Sequence, residues 1–257
     1  MKAMKINTVI CTILLLIAST VYSSTIVAAK GYQKEVVVFE KKEISDEEVL
    51  LSRASEGITD NPQIEKRLES LVTVTNEGGT MIPLSKSDLK STTESLKRIV
   101  NANGEVVDSY VTTFFREVSI NPNAGEVGIF ADHGGGELDS TLSVYSYSRL
   151  YYNITTINGK QHYGLTKVTG YWTLQDVGTG IKNTKVRIGQ TGLSEAGGDR
   201  NSAQYRDYST GTSFTITPPQ TWLPIFRGTG SKIGAYQTCT ITEGSQSWNV
   251  GFTHNLW

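Results

Sequence analysis

The stretch Leu142-Ser143-Val144-Tyr145-Ser146-Tyr147-Ser148-Arg149-Leu150-Tyr151-Tyr152-Asn153-Ile154 decides the fold class of this chain. A strand shows successive side chains to opposite sides, so residues two apart share a face. Leu142, Val144, Leu150, Tyr152 and Ile154 fall on one face, with Ser146 and Ser148 between them. Tyr145, Tyr147, Arg149 and Tyr151 fall on the other. An apolar face belongs to a core, and a strand with one apolar face belongs to a half-buried sheet. That predicts an inward Leu142 face and an outward tyrosine face. Flat aromatic rings with hydroxyls, and an arginine with directed donors, suit contact with a sugar or a peptide. Tyr145, Tyr147, Arg149 and Tyr151 are therefore the candidate binding residues. The competing reading is aromatic pairing across strands, or burial under the N-terminal region.

The same pattern extends in both directions. Asn103-Gly104 reads as a type I′ hairpin turn joining 97–101 to 106–115, and Asn158-Gly159 as another joining 150–156 to 163–174. Both central residues of that turn need positive φ, which Asn and Gly tolerate. Further strands are expected at 185–189, 214–217, 233–242 and 248–256, with Trp248, Val250, Phe252 and Leu256 on one face. Strands recur with turn signals and no helix-length pattern between them. The fold class is thus mainly β, an antiparallel β-sandwich preceded by a small charged α/loop region.

Composition agrees. The 257 residues are 38% hydrophobic and 19% charged, with a net charge of −1. A disordered chain needs fewer apolar residues and more net charge. With 24 basic residues against 25 acidic ones, charge does not announce a nucleic-acid partner either. The 55 Ser and Thr, 25 Gly and 23 aromatics suit strands and tight turns.

The N-terminus carries a three-part export signature: Lys2 and Lys5, an uncharged apolar run from Ile6 to Ala18, and Val27-Ala28-Ala29 at the processing site. Removal of 1–29 takes Lys2 and Lys5 away and the net charge to −3. No second apolar run is long enough for a helix to span a bilayer. Only Cys239 then remains, alternating with Ile233, Ala235 and Ile241 as a small buried hydrophobe. Residues 30–108 hold 26 charged side chains in 79 positions, whereas 20 of the 23 aromatics lie at or after Tyr110. Ser45 and Glu48 form a capping-box pattern for a helix ending near Gly57. A second helix is expected around 64–71, a linker at 76–80, and 85–93 is open between helix and loop. The expected organisation is a signal peptide at 1–29, a charged, partly helical or disordered region at 30–95, and a β-sandwich domain at 96–257.

The stretch Lys167-Val168-Thr169-Gly170-Tyr171-Trp172, the segment Val186-Arg187-Ile188-Gly189-Gln190-Thr191-Gly192 and the tail Ser247-Trp248-Asn249-Val250 are similar to a group of secreted β-rich proteins of Gram-positive bacteria with no assigned activity. The likeness covers 140–257. It implies export and a β fold, and no site.

Catalytic spacing is absent from the sequence. It contains no Gly-x-Ser-x-Gly elbow. Nor does it contain a His-Glu-x-x-His pair or a phosphate-binding Walker loop. The densest polar cluster is Asp132-His133-Gly134-Gly135-Gly136-Glu137-Leu138-Asp139, in which Asp132, His133, Glu137 and Asp139 are candidate metal ligands. Carboxylates suit a hard cation and His133 a transition metal, although the spacing matches no recognised loop. The competing reading is a mobile hairpin loop whose glycines supply positive φ. No cofactor is expected. The expected function is a secreted, non-catalytic extracellular protein binding cell-wall polymer, glycan or protein, with no nucleic acid and no stable membrane span after signal removal. Two alternatives remain. One is a membrane-active toxin, since 140–154 and 209–217 are Ser/Thr-rich and alternating. The other is a hydrolase assembled from distant carboxylates.

Overall fold

The computed structural model describes residues 34–76, 81–83, 89–121, 126–128, 142–174, 178–194, 201–228 and 230–257. The expected signal peptide and most of the expected linker lie outside them. The described chain is built from fourteen strands and two short helices. In chain order these are β1 (Val36–Glu40), α1 (Glu47–Ser55), α2 (Pro62–Glu65), β2 (Glu69–Asn76), β3 (Met81–Pro83), β4 (Lys90–Val100) and β5 (Val106–Asn121). There follow β6 (Glu126–Gly128), β7 (Leu142–Ile157), β8 (Lys160–Leu174), β9 (Thr179–Ser194) and β10 (Asn201–Ser209). The chain ends with β11 (Ser213–Ile216), β12 (Ile225–Phe226), β13 (Lys232–Glu243) and β14 (Gln246–Asn255).

Every pairing is antiparallel, and the strands form one open sheet in the order β1-β4-β5-β7-β8-β12-β9-β13-β14-β2-β3. The sheet folds back on itself at β12, whose Ile225 faces Tyr163 of β8 on one side and Ser194 of β9 on the other. One layer is then β1-β4-β5-β7-β8 with β11 on its edge; the other is β9-β13-β14-β2-β3 with β10 on its edge. Contacts such as Phe114 stacked on His254 at 4.7 Å and Trp172 against Phe252 at 5.2 Å cross between them.

The interior is two apolar clusters separated by a polar belt. One gathers Phe114, Leu150, Tyr152, Ile188 and Ile233; the other Val74, Val118, Val144, Trp172 and Phe252. Between them lie buried Arg116 of β5, Ser146 and Ser148 of β7, Gln237 of β13 and His254 of β14. Each strand that contributes to the belt carries apolar residues to either side of it, which is why alternation alone reads it as core.

Several local expectations need correction. The first helix starts one residue later than the Ser45 box implies, because Asp46 is the cap and its carboxylate accepts from Glu48 N and Val49 N. Only one short turn, α2, forms in the second helical stretch. The following residues become β2, since Val72 and Val74 alternate and pair with Phe252 and Val250 of β14. Asn158 and Gly159 adopt the φ of 50° and 75° that a type I′ turn needs. At Asn103-Gly104 only Gly104 has positive φ, because Asn101 closes a longer loop by accepting from Asn103 N and Glu105 N. The expected boundary at 95/96 falls inside β4. The charged region is woven into both layers, as β1 on β4 and as β2 on β14.

Candidate binding surface

The tyrosine face of β7 is not exposed, which corrects the sequence expectation. Tyr145, Tyr147, Arg149 and Tyr151 retain only 5–9% of their surface. The covering piece is the segment 43–54, including α1. Leu50 is fully buried and packs with Phe115, Tyr145 and Tyr147. The same segment takes up three hydroxyls: those of Tyr145 and Tyr171 donate to Glu47 at 2.8 and 2.6 Å, and that of Tyr151 to Glu43 at 2.5 Å. Burial pushes Tyr147 up to about 12 and raises Tyr145, Tyr151 and Tyr171 as well. Arg149 donates to Glu94 at 2.6 Å and to the Ile44 carbonyl at 3.0 Å, while Ile44 N donates to Glu94 at 3.0 Å. Backbone and side-chain bonds thus clamp the segment at Ile44. Alternation finds the face correctly but cannot show what sits on it.

The candidate metal residues Asp132, His133, Glu137 and Asp139 lie outside the described residues. Among the described residues no group of three or more His, Cys, Asp or Glu is placed to hold a metal ion. Nor is any helix among them long and apolar enough to cross a membrane. Cys239 is buried, and burial pushes its thiol up to about 12, away from the reactive thiolate.

One pair that the sequence does not reveal is Ser148 and His254, whose Oγ and Nδ1 are 2.5 Å apart. A serine beside a histidine is the start of a nucleophile–base arrangement. Here both are fully buried in the polar belt, and burial, aided by the Arg116 charge, holds the imidazole down to about 3. A sealed, neutral imidazole beside a sealed hydroxyl joins the layers and offers no route to substrate.

The other outer face, on β10-β9-β13-β14-β2, carries no covering element among the described residues. Its outward side chains run in rows across the strands. One row is Tyr205, Gly189, Gly234 and Asn255; the next is Asp207, Arg187, Tyr236, Thr253 and Leu71. Gly189 and Gly234 leave a groove of about 250 Å³, lined also by Arg187, Thr191, Lys232 and Tyr236. A side chain at Gly189 would stand 3.3 Å from the Tyr205 Cβ, and one at Gly234 would meet Asn255. Neither glycine has room for a Cβ, because Tyr205 and Asn255 already crowd those positions, and the groove lies beside this close packing. Tyr205 and Tyr236 stand 65% and 38% exposed, the former beneath the Arg187 guanidinium at 5.4 Å. Tyr236 leans over Gly251, and beyond it a second hollow of about 400 Å³ is walled by Thr73, Thr75, Asn183, Thr238 and Thr240.

Arg187 and Lys232 on this face each have a carboxylate partner. Arg187 grips Asp207 through two parallel bonds of 2.7 and 2.9 Å. That pairing raises the guanidinium's pKa and lowers the carboxyl's. Lys232 lies 3.6 Å from Glu69. Tyrosine rings, hydroxyls, an amide and a neutralised Arg–Asp fork make a surface rich in directed hydrogen bonds and poor in net charge. The sequence hides it because β10, Asn-Ser-Ala-Gln-Tyr-Arg-Asp-Tyr-Ser, has no apolar alternation to mark it as a strand. The glycine spacing on β9 and β13 is the signal that could have found it. No protein-family model matches this chain, and no curated protein or solved structure was found that matches it.

Proposed function

We propose that this chain is a secreted, non-catalytic extracellular protein that binds an uncharged glycan, such as a cell-wall saccharide, along the open face of its second layer. The observation that carries the reading is the glycine-floored groove flanked by exposed Tyr205 and Tyr236. Sugar rings present apolar faces to aromatic rings and hydroxyls to polar neighbours, and an amphipathic tyrosine serves both. The Arg187–Asp207 pair supplies donors and acceptors side by side, and because it is internally neutral it favours an uncharged ligand. The export signature at 1–29 and the resemblance to secreted proteins of Gram-positive bacteria support the extracellular setting.

The test is retention of the purified protein on isolated cell walls and on immobilised neutral glycans. Tyr205→Ala and Tyr236→Ala together should abolish retention, while Tyr145→Phe on the covered face should leave it unchanged. Absence of retention on every neutral glycan, or retention indifferent to the Tyr205 and Tyr236 changes, overturns the reading.

A further inference from the structure

A different pocket, of about 520 Å³, opens at the end of the sandwich where the β7–β8 turn meets the segment after β12. Three cations line it: Arg67 between α2 and β2, Lys160 at the start of β8, and Arg227 just after β12. In the glycan groove each cation named has a carboxylate. Here none of the three makes an ion pair with any described residue. Two are instead held over aromatic rings, Lys160 over Phe226 at 5.8 Å and Arg227 over Trp257 at 5.7 Å. Such contacts orient a cation without neutralising it.

Two of the cations, Arg67 and Arg227, share the pocket wall with Tyr163. Tyr163 forms part of the pocket wall and is braced edge-on by Trp257 at 4.5 Å, its hydroxyl donating to Gln161 at 2.9 Å. Burial raises the pKa of that hydroxyl, but Arg67 and Arg227 both pull it down, so both guanidinium fields reach the same atom. The chain as a whole has a net charge of −1, and three cations that form no ion pair with a described residue concentrate positive charge around this one hollow. Two guanidiniums and an ammonium lining one hollow supply the positive charge and the N–H donors that an oxyanion accepts. The aromatic walls of Tyr163 and Phe226 leave room beside it for an organic group.

We propose that this pocket binds a phosphate group carried on a sugar or polyol, as a free sugar phosphate or as a phosphodiester unit of an anionic polymer. The site is separate from the neutral-glycan groove, and it stands whether or not that groove binds anything. Titration calorimetry of the full protein tests it with five probes: inorganic phosphate, glucose 6-phosphate, an oligomer of glycerol phosphate, sodium sulfate, and glucose as the uncharged control. Glucose 6-phosphate or the oligomer should bind at least about tenfold more tightly than inorganic phosphate or sulfate. The stronger of the two identifies the source. Affinity should fall about tenfold in Arg67→Gln and in Arg227→Gln, less in Arg227→Lys, and steadily with added salt. Tyr205→Ala should leave it unchanged. The thermal midpoint of each variant checks that the fold survives. Binding of no phosphate probe at millimolar concentration overturns the proposal. So does equal binding of sulfate and sugar phosphate, or affinity indifferent to both arginine changes in variants that melt normally.

Discussion

On the outer face of the first layer Tyr145, Tyr147 and Tyr171 lie beneath α1 with two of their hydroxyls on Glu47; on the outer face of the second, Tyr205 and Tyr236 stand in solvent. Both faces combine tyrosines with an arginine and a carboxylate, and their chemistry diverges only because one is covered. Arg149 is matched to Glu94 deep under the cover, where neither charge has water to fall back on. Arg187 is matched to Asp207 in the open, where water shares the work. A tyrosine-rich strand face therefore does not by itself mark a binding surface; what the rest of the chain leaves uncovered does.

The comparison can be broken hardest at the buried ion pair. Arg149→Met should cost about 3–5 kcal/mol, because it strands Glu94 as an uncompensated buried charge and frees the Ile44 clamp. Arg187→Met on the open face should cost under about 1 kcal/mol, as exposed pairs do. Urea unfolding of the two variants side by side measures the contrast, and equal losses would sink the distinction between the faces.

The interior that both layers share has its own signature. His254 is held neutral, down to about 3, while in the unfolded chain it titrates near its ordinary 6.5. Below pH 6.5 the unfolded state takes up a proton that the folded state refuses, so stability must fall as pH falls towards 3. Between pH 6.5 and 4.5, before most carboxylates titrate, the loss should be about 2–3 kcal/mol. In His254→Gln the same interval should be nearly flat. Denaturant midpoints at several pH values decide this, and an unchanged slope in the variant would remove His254 as the cause.

The smallest effect belongs to the open tyrosines. Tyr205→Ala and Tyr236→Ala should each shift stability by no more than about 0.5 kcal/mol, as exposed substitutions usually do. Thermal melts read this alongside the glycan retention described above. A large loss at Tyr205 would mean that it packs as its covered counterparts do.

What was legible in the sequence was the part set by neighbours two residues apart. Val144, Leu150, Tyr152 and Ile154 point inward as alternation requires, and Trp248, Val250, Phe252 and Leu256 do the same at the far end of the chain. What was not legible was set by partners a hundred residues away. Nothing near Tyr145 discloses that Glu47 will meet it, and nothing near Gly189 discloses that Gly234 will lie opposite. Leu68 and Leu71 look helical beside Ile64 until β14 offers Leu71 a ladder. The polar belt was hidden for a different reason: Arg116, Gln237 and His254 each look like single exceptions in their own strands, and only the pairing aligns them with Ser146 and Ser148.

The pairing of β2 with β14, from Asn76 opposite Trp248 to Glu69 opposite Asn255, has a consequence for the order in which the protein is made. A ribosome releases the chain from its N-terminus, so β2 emerges with only the short β3 to pair with, and its longer ladder waits until β14 has been made. Contacts so distant in sequence form slowly even then, because a long loop must be closed before they yield any stabilisation. The second layer therefore cannot close before β14 has been made, and a stop codon ahead of Gln246 would leave β2 with β3 alone.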